Sequence, residues 1–325
     1  MVDTDGATVL KRAVALSKVV PPRAEGWLPE PAVSVVIPTY NHGRFLGRSL
    51  ASVFAQTFPD YEVIVVNDGS TDDTNDRMKM FQGRIKYYCG DNRGLGCARN
   101  IGLNLAVGRY VQFLDADDSI APEKFARQVP LLEADESVAL VYSDYANVDV
   151  GSDVCDAPSL PLAREESALQ RLIRENFIPV HSPLVRRAVF FKEGNFDESR
   201  IAQEDWDLWL RLASRGYRFQ YVPGVLCFYH RDGSQMVSNP ELMYQRGLHL
   251  LNKCLSDPQF NRLGDRLVRE FRAYQHFALA RRSYNQRQWS RARVHLWNAV
   301  LARERSLQLR LWSLMLKTFV HQLFE

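Results

Sequence analysis

Five short stretches of the chain carry residue types suited to work on a phosphorylated ligand. Asp115 and Asp117 stand one residue apart after the apolar run Tyr110–Leu114. In a continuing strand they share a face; in a turn they can converge on one ion. Oxygen ligands suit Mg²⁺ or Mn²⁺, which commonly bridge protein carboxylate and substrate phosphate. The same D-x-D also reads as aspartates satisfying backbone amides in a turn. Asp68, within Asn67–Asp72, can accept a hydrogen bond from a nucleobase N–H, while Ser70, Thr71 or Asp72 caps the following helix. Asn92–Asn100 places two glycines and two arginines ahead of a helix, so the backbone can approach a ligand and Arg99 can reach a diphosphate. It is neither a Walker loop nor a complete dinucleotide fingerprint. Glu204 and Asp205 open a helix. Asp205 there suits a general base, although acids in a first turn also answer the helix dipole, with Trp206 and Trp209 as core. His230 follows the apolar run Val225–Tyr229 and is either a metal ligand or structural.

These groups need a scaffold. Val33–Ile37 and Tyr61–Val66 are β-branched runs that predict buried strands, with further strands at Arg84–Tyr88 and Tyr110–Leu114. Helical spacing over Phe45–Gln56, a polar helix over Asp72–Phe81 and a helix over Leu95–Val107 fall between them. This alternation implies an α/β fold with βαβ crossovers and a mostly parallel central sheet. Such sheets bind ligands outside the carboxyl ends of their strands, where Pro38–Asn41, Asn67–Asp72 and Asp115–Asp118 all lie. Farther on, Pro122–Ala134, Glu165–Glu175 and Asp205–Arg215 predict helices. Ala139–Tyr142, Phe219–Val222 and Val225–Tyr229 predict strands, and 149–163 reads as a loop. Residues 1–31 form a leader broken by four prolines, 32–240 the catalytic domain, and 241–325 a helical C-terminal region. In that last region Tyr284, Trp289, Ala292, Leu296 and Ala299 resemble part of a tetratricopeptide-like helix pair.

Composition narrows the classes. The 325 residues are 46% hydrophobic and 24% charged, which excludes global disorder. Five scattered cysteines with no C-x-x-C pair argue against a thiolate metal site and suit a reducing compartment. No basic start leads into an apolar core, and no apolar run approaches the roughly 18 residues of a membrane span. Both point to the cytoplasm by default. The net charge of +3 hides an imbalance: residues 241–325 hold 15 Lys and Arg against 6 Asp and Glu, a balance of +9, over a body of −6. The basic tail suits peripheral contact with an anionic membrane surface, a homodimer contact, or solvated helical faces docked on their own domain. Leu307–Phe324, apolar around Arg310, Lys317 and His321, fits the same three readings. Nucleic acid is not an expected partner.

Val33–Asn41, Val65–Thr74, the 92–100 loop and Phe113–Asp118, in that order and spacing, together resemble glycosyltransferase family 2 from about 32 to 235. The resemblance implies a GT-A fold, a nucleoside-diphosphate-sugar donor (a UDP-sugar favoured), a sugar, lipid-linked or protein hydroxyl acceptor, and inversion at the anomeric carbon. Residue by residue, Thr39, Tyr40 and Asp68 fall where the family holds base and ribose, with Pro38 and Asn41 in the same stretch. Arg99 falls near the phosphates. Asp115 and Ala116 fall near the ribose and metal, while Asp117 would ligate Mn²⁺ or Mg²⁺ together with His230. Glu204 and Asp205 match the family's E-D pair, whose aspartate is the base. The processive Q-x-x-R-W signature is absent, and His230–Gln235 resembles non-processive bacterial enzymes that decorate polysaccharides, lipids or proteins. A binding protein without catalysis and a nucleotidyltransferase are the rival readings. The first is disfavoured by the presence of Asp117, Asp205 and His230, the second by a Thr39–Gly43 stretch unlike a lysine-rich phosphate motif.

Overall fold

Val33–Ile37 is buried along its whole length because strand β1 (Val33–Thr39) lies inside the sheet, parallel to β2 (Tyr61–Asn67) on one side and β4 (Tyr110–Phe113) on the other. The computed structural model describes residues 30–149, 155–156, 167–199, 203–231 and 240–302. The leader, most of the 149–163 loop, residues 232–239 and the Leu307–Phe324 stretch lie outside the described residues.

The register brings the ends of β1 and β2 level, Thr39 opposite Asn67, with β3 (Lys86–Cys89) beside β2. Leu114 still donates its amide to Val36 O (3.0 Å), so the chain leaves the sheet into Asp115–Asp117 at the same edge. Helix α1 (Gly43–Phe54) buries Leu46, Leu50 and Val53 at helical spacing. The polar prediction over 72–81 becomes α2 (Thr74–Met78) followed by a 3₁₀ turn at Lys79–Phe81. Helix α3 (Leu95–Leu105) lies so close to β1 that a Cβ on Gly102 would collide with Val36 Cγ1.

Beyond β4 the sheet changes character. Strand order is β3-β2-β1-β4-β8-β6-β9-β5, where β5 is Ser119–Ile120, β6 is Val138–Asp149, β8 is Leu184–Arg186 and β9 is Arg218–Arg231; β7 (Cys155–Asp156) pairs with β6. The β4–β8, β8–β6 and β5–β9 pairings are antiparallel, so the α/β sheet is mixed, with its parallel part confined to β1–β4. The two strands expected at 219–222 and 225–229 are one. Pro223-Gly224 does not end it, because Gly224 turns through φ +100° while its amide binds Asp144 Oδ2 (3.0 Å) and Arg127 Nη2 holds Pro223 O (2.6 Å). Helix α4 (Lys124–Ala134) forms as expected.

The chain divides into two compact units. The first takes the described parts of 1–159, 180–198 and 220–230; the second takes those of 160–179, 199–219 and 231–325. The second unit therefore includes the Glu204–Asp205 helix as well as the C-terminal helices. There α5 (Ala168–Leu172) begins at a capping box, Ser167 Oγ accepting from Gln170 N and Gln170 Oε1 accepting from Ser167 N. Helix α6 (Ala188–Glu193), in the first unit, precedes α7 (Glu204–Ser214), whose Trp206 and Trp209 donate Nε1–H to Leu172 O and Ile178 O. Helices α8 (Pro240–Ser256), α9 (Pro258–Asn261), α10 (Asp265–Asn285) and α11 (Trp289–Leu301) follow. The α10–α11 hairpin has the expected form: Tyr284 meets Trp289 edge-on at 5.1 Å, and Ala292, Leu296 and Ala299 are buried. Val294, Trp297 and Leu301 leave one side of α11 exposed. No helix among the described residues is long and apolar enough to cross a membrane.

Candidate active site

The loops after β1 and β2 are sewn together by side chains. Asn41 takes a positive φ of 55°, its amide reaches Ser70 Oγ (2.9 Å), and its Oδ1 accepts from Thr71 N (2.8 Å) and, at 3.4 Å, from Asp72 N. Asp72 in turn accepts from Gly43 N (3.0 Å) and Thr74 N (3.1 Å). Pro38 and Thr39 sit at the strand end, where the Thr39 hydroxyl is buried without a hydrogen-bond partner among the described residues. An orphaned polar atom in such a place is what a ligand satisfies. Tyr40 beside it is 46% exposed.

Asp68 is nearly buried. Its Oδ1 accepts from Arg93 N and its Oδ2 from Gly94 N, both at 2.8 Å. The carboxylate thus moors the glycine loop at the start of α3. Gly69 (φ +80°) permits the approach, since a Cβ there would lie 2.7 Å from Asn92 N. Arg99 is buried, and its Nη2 lies 2.7 Å from Asp115 Oδ1, with side-chain exposures of 2% and 27%. The structure places Arg99 against a carboxylate rather than on an open surface.

From Asp115 to Ile120 burial alternates. Asp115, Asp117 and Ser119 are half-buried on the open side, while Ala116, Asp118 and Ile120 point into the core. Arg48 Nη2 holds Asp117 O, and Asp118 N donates to Asp115 O (3.1 Å). Antiparallel pairing of β5 with β9 brings His230 Nε2 to 2.8 Å from Ser119 Oγ. Asp118 is completely buried, with Oδ1 accepting from His230 N (3.0 Å) and Oδ2 lying 3.0 Å from His181 Nδ1. Burial alone would lower the His181 pKa, but the Asp118 charge outweighs it and raises the pKa well above the ordinary value. Nearby, burial pulls Lys124 down to about 8, its Nζ donating to Ser182 O (2.5 Å).

In the second unit, Asp205 is half-buried at the start of α7. Its Oδ1 accepts from Trp206 N (2.7 Å) and its Oδ2 from Asn176 Nδ2 (3.0 Å); Glu204 precedes it, also half-buried. The buried acid of this turn is Asp207, held by Lys253 at 3.0 Å. Asp118 was visible in the sequence only as the tail of the acidic stretch. His181 and Asn176 carry no local pattern.

No group of three His, Cys, Asp or Glu side chains suited to a metal occurs among the described residues. Asp115 and Asp117 emerge on one open side, with Asp115 held by Arg99 and His230 held by Ser119, and the three do not gather into such a group.

A parallel half-sheet ending in acidic loops and continued by antiparallel strands is the architecture of the GT-A transferases. In TarS of S. aureus, solved with UDP-GlcNAc, the same fold recurs with a TM-score of 0.64 and 23% identity, over 83% of this chain and 81% of that one. The mannosyltransferase PcManGT of Pyrobaculum calidifontis, solved with GDP-Man and Mn²⁺, gives a TM-score of 0.56 and 20% identity over 97% and 93%. The profile of the family described as glycosyl transferase family 2 matches residues 34–190, just under half of the chain, and that segment is similar to the family's members. Rickettsia prowazekii has an uncharacterized glycosyltransferase, RP339, that is 32% identical over 186 residues, 56% of this chain and 58% of that protein. Chondroitin synthase of Escherichia coli is 29% identical over 70% of this chain and 33% of its own. The chain thus matches little more than half the length of the rickettsial relative and a third of the synthase.

Proposed function

We propose that this protein transfers a sugar from a nucleoside-diphosphate sugar to a hydroxyl acceptor, with inversion at the anomeric carbon. The observation that carries the reading is the emergence of Asp115 and Asp117 on one open side beside the Ser119–His230 contact, at the carboxyl edge of the parallel strands of a domain similar to glycosyltransferase family 2. Tyr40 offers a ring for the base, and the orphaned Thr39 hydroxyl a polar contact near the base and ribose. Asp68, taken up by the Arg93 and Gly94 amides, holds the glycine loop in the shape the donor meets. Arg99 serves the phosphates indirectly, by orienting Asp115.

Asp117 and His230 would hold Mn²⁺ or Mg²⁺, which supplies charge neutralisation for the departing diphosphate. Asp205 is the base. It takes the proton of the acceptor hydroxyl as that oxygen bonds to the anomeric carbon from the face opposite the leaving group. The bond to the diphosphate oxygen breaks, and its electron pair leaves with the diphosphate. The amides of Asn176 and Trp206 hold the Asp205 carboxylate in one orientation. The structural neighbours were solved with UDP-GlcNAc and with GDP-Man, which supports a nucleotide-sugar without choosing one. The basic C-terminal helices, with Val294, Trp297 and Leu301 exposed, are the part that would meet a membrane surface from the cytoplasmic side or a second copy.

A thermal-shift panel of UDP, GDP, dTDP and CDP, each with and without Mn²⁺, tests the donor site, because a ligand of the folded state raises the melting point. One diphosphate stabilising only with metal is expected; no shift at millimolar concentrations would overturn the reading. Asp205→Asn is expected to cut transfer by about 10³-fold with the diphosphate shift retained, and normal turnover would remove Asp205 as the base.

A further inference from the structure

We propose that His181 is a positioning residue for this site: through Asp118 it fixes together the turn that carries Asp115 and Asp117 and the strand end that carries His230. The inference rests on the reading above.

Asp118 is a hub. Its amide closes the turn on Asp115 O, one carboxylate oxygen takes the His230 amide, and the other lies 3.0 Å from His181 Nδ1. One side chain therefore touches both pieces of chain that bear the proposed metal ligands. The Asp118 carboxylate is exposed by only 1%, and His181, equally buried, lies against it as its close partner. His181 is in turn held from several directions. Its carbonyl accepts from Gln112 Nε2 on β4 (2.9 Å), its ring stacks on Tyr229 (5.8 Å, 21°), and Tyr145 meets it edge-on. The adjoining Ser182 is bound to Ser143 on β6 in both directions, its Oγ donating to Ser143 O (2.8 Å) and accepting from Ser143 N (3.1 Å). The imidazole is thus referenced to β4, β6 and β9 at once, and Asp118 transmits that position to the open face. None of these contacts reaches the face itself, so the role is to hold Asp117 and His230 at their spacing. Groups that orient metal ligands from behind typically change metal affinity or activity when removed, even though they touch no substrate.

The substitutions that separate positioning from plain stability are two amides of different reach. Asn places its Nδ2 where the His Nδ1 donor lies; Gln carries its amide one bond farther and loses the Asp118 contact. Calorimetric titration of the full chain is made with Mn²⁺ and with UDP or GDP, whichever the wild type binds, and melting temperatures are recorded alongside. His181→Gln is expected to weaken Mn²⁺-dependent diphosphate binding by about 10- to 100-fold. His181→Asn is expected to stay within about threefold of wild type. Should the Gln variant not fold, Tyr229→Leu removes the surface on which the ring stacks, and its expected loss is a few-fold in the same constant. Wild-type affinity in a folded His181→Gln, or in Tyr229→Leu where the Gln variant does not fold, would overturn the proposal. So would equal losses in the Asn and Gln variants. A wild type that binds no nucleoside diphosphate at all would instead remove the function on which the inference rests.

Discussion

The two halves of the sheet hold their polar residues in opposite ways. In the parallel half, the exposed Asn41 and Asp72 and the buried Asp68 are all satisfied by backbone amides of the neighbouring loop. In the antiparallel half, the ionisable groups of Asp118, His181 and Lys124 are taken wholly out of water and lie against one another or against single carbonyls. The first arrangement shapes a loop through backbone dipoles that carry no net charge. The second is costly to assemble and still more costly to break from one side, because the remaining charge stays buried. Surface loops can be fastened the first way; a fixed reference point behind the Asp115–Asp117 turn calls for the second.

Breaking the buried pair is therefore expected to have the largest effect. Asp118→Ala should lower unfolding free energy by about 3–5 kcal/mol in denaturant titration, since it strands His181. Asp68→Ala should come next, at about 2–3 kcal/mol, and should speed hydrogen exchange at Arg93 and Gly94 because the loop loses both moorings. If the two variants were equally mild, the contrast between the halves would not hold. Lys124 sharpens it through pH. Below about pH 8 the amine is charged in both folded and unfolded chains, while between about 8 and 10.5 only the unfolded chain keeps the proton. The Lys124 contribution to stability therefore rises with pH across that window, and Lys124→Met should abolish this component while leaving the protein as stable or more so at pH 7. The smallest effect is expected at the exposed Asp73–Arg77 pair, where Asp73→Ala should leave the denaturant midpoint indistinguishable from wild type.

The same contrast explains what the sequence disclosed. β1 and β2 are β-branched runs ended by turn residues, and the loops behind them carry their chemistry within a few positions, so both were legible. The antiparallel half is assembled from distant pieces. β8 has three residues, β9 passes through a Pro-Gly that reads as a stop, and the Asp118–His181 pair joins positions on different elements with no periodicity between them. Arg99 was legible as a cation but not as a buried one, because arginine is rarely buried and its partner Asp115 lies beyond the helix. Asp68 was read as a ligand group or a neighbour of a helix cap; its hold on the 93–94 amides is a contact between loops that no local pattern encodes.

Asn41 carries a consequence for kinetics. Its amide and carboxamide fasten two loop segments before any ligand arrives, so an exposed rim that would ordinarily fluctuate is already in one shape. A nucleotide meeting such a rim has no loop to order, and its association should follow a single exponential whose rate grows linearly with ligand concentration, without the plateau that a preceding conformational step imposes.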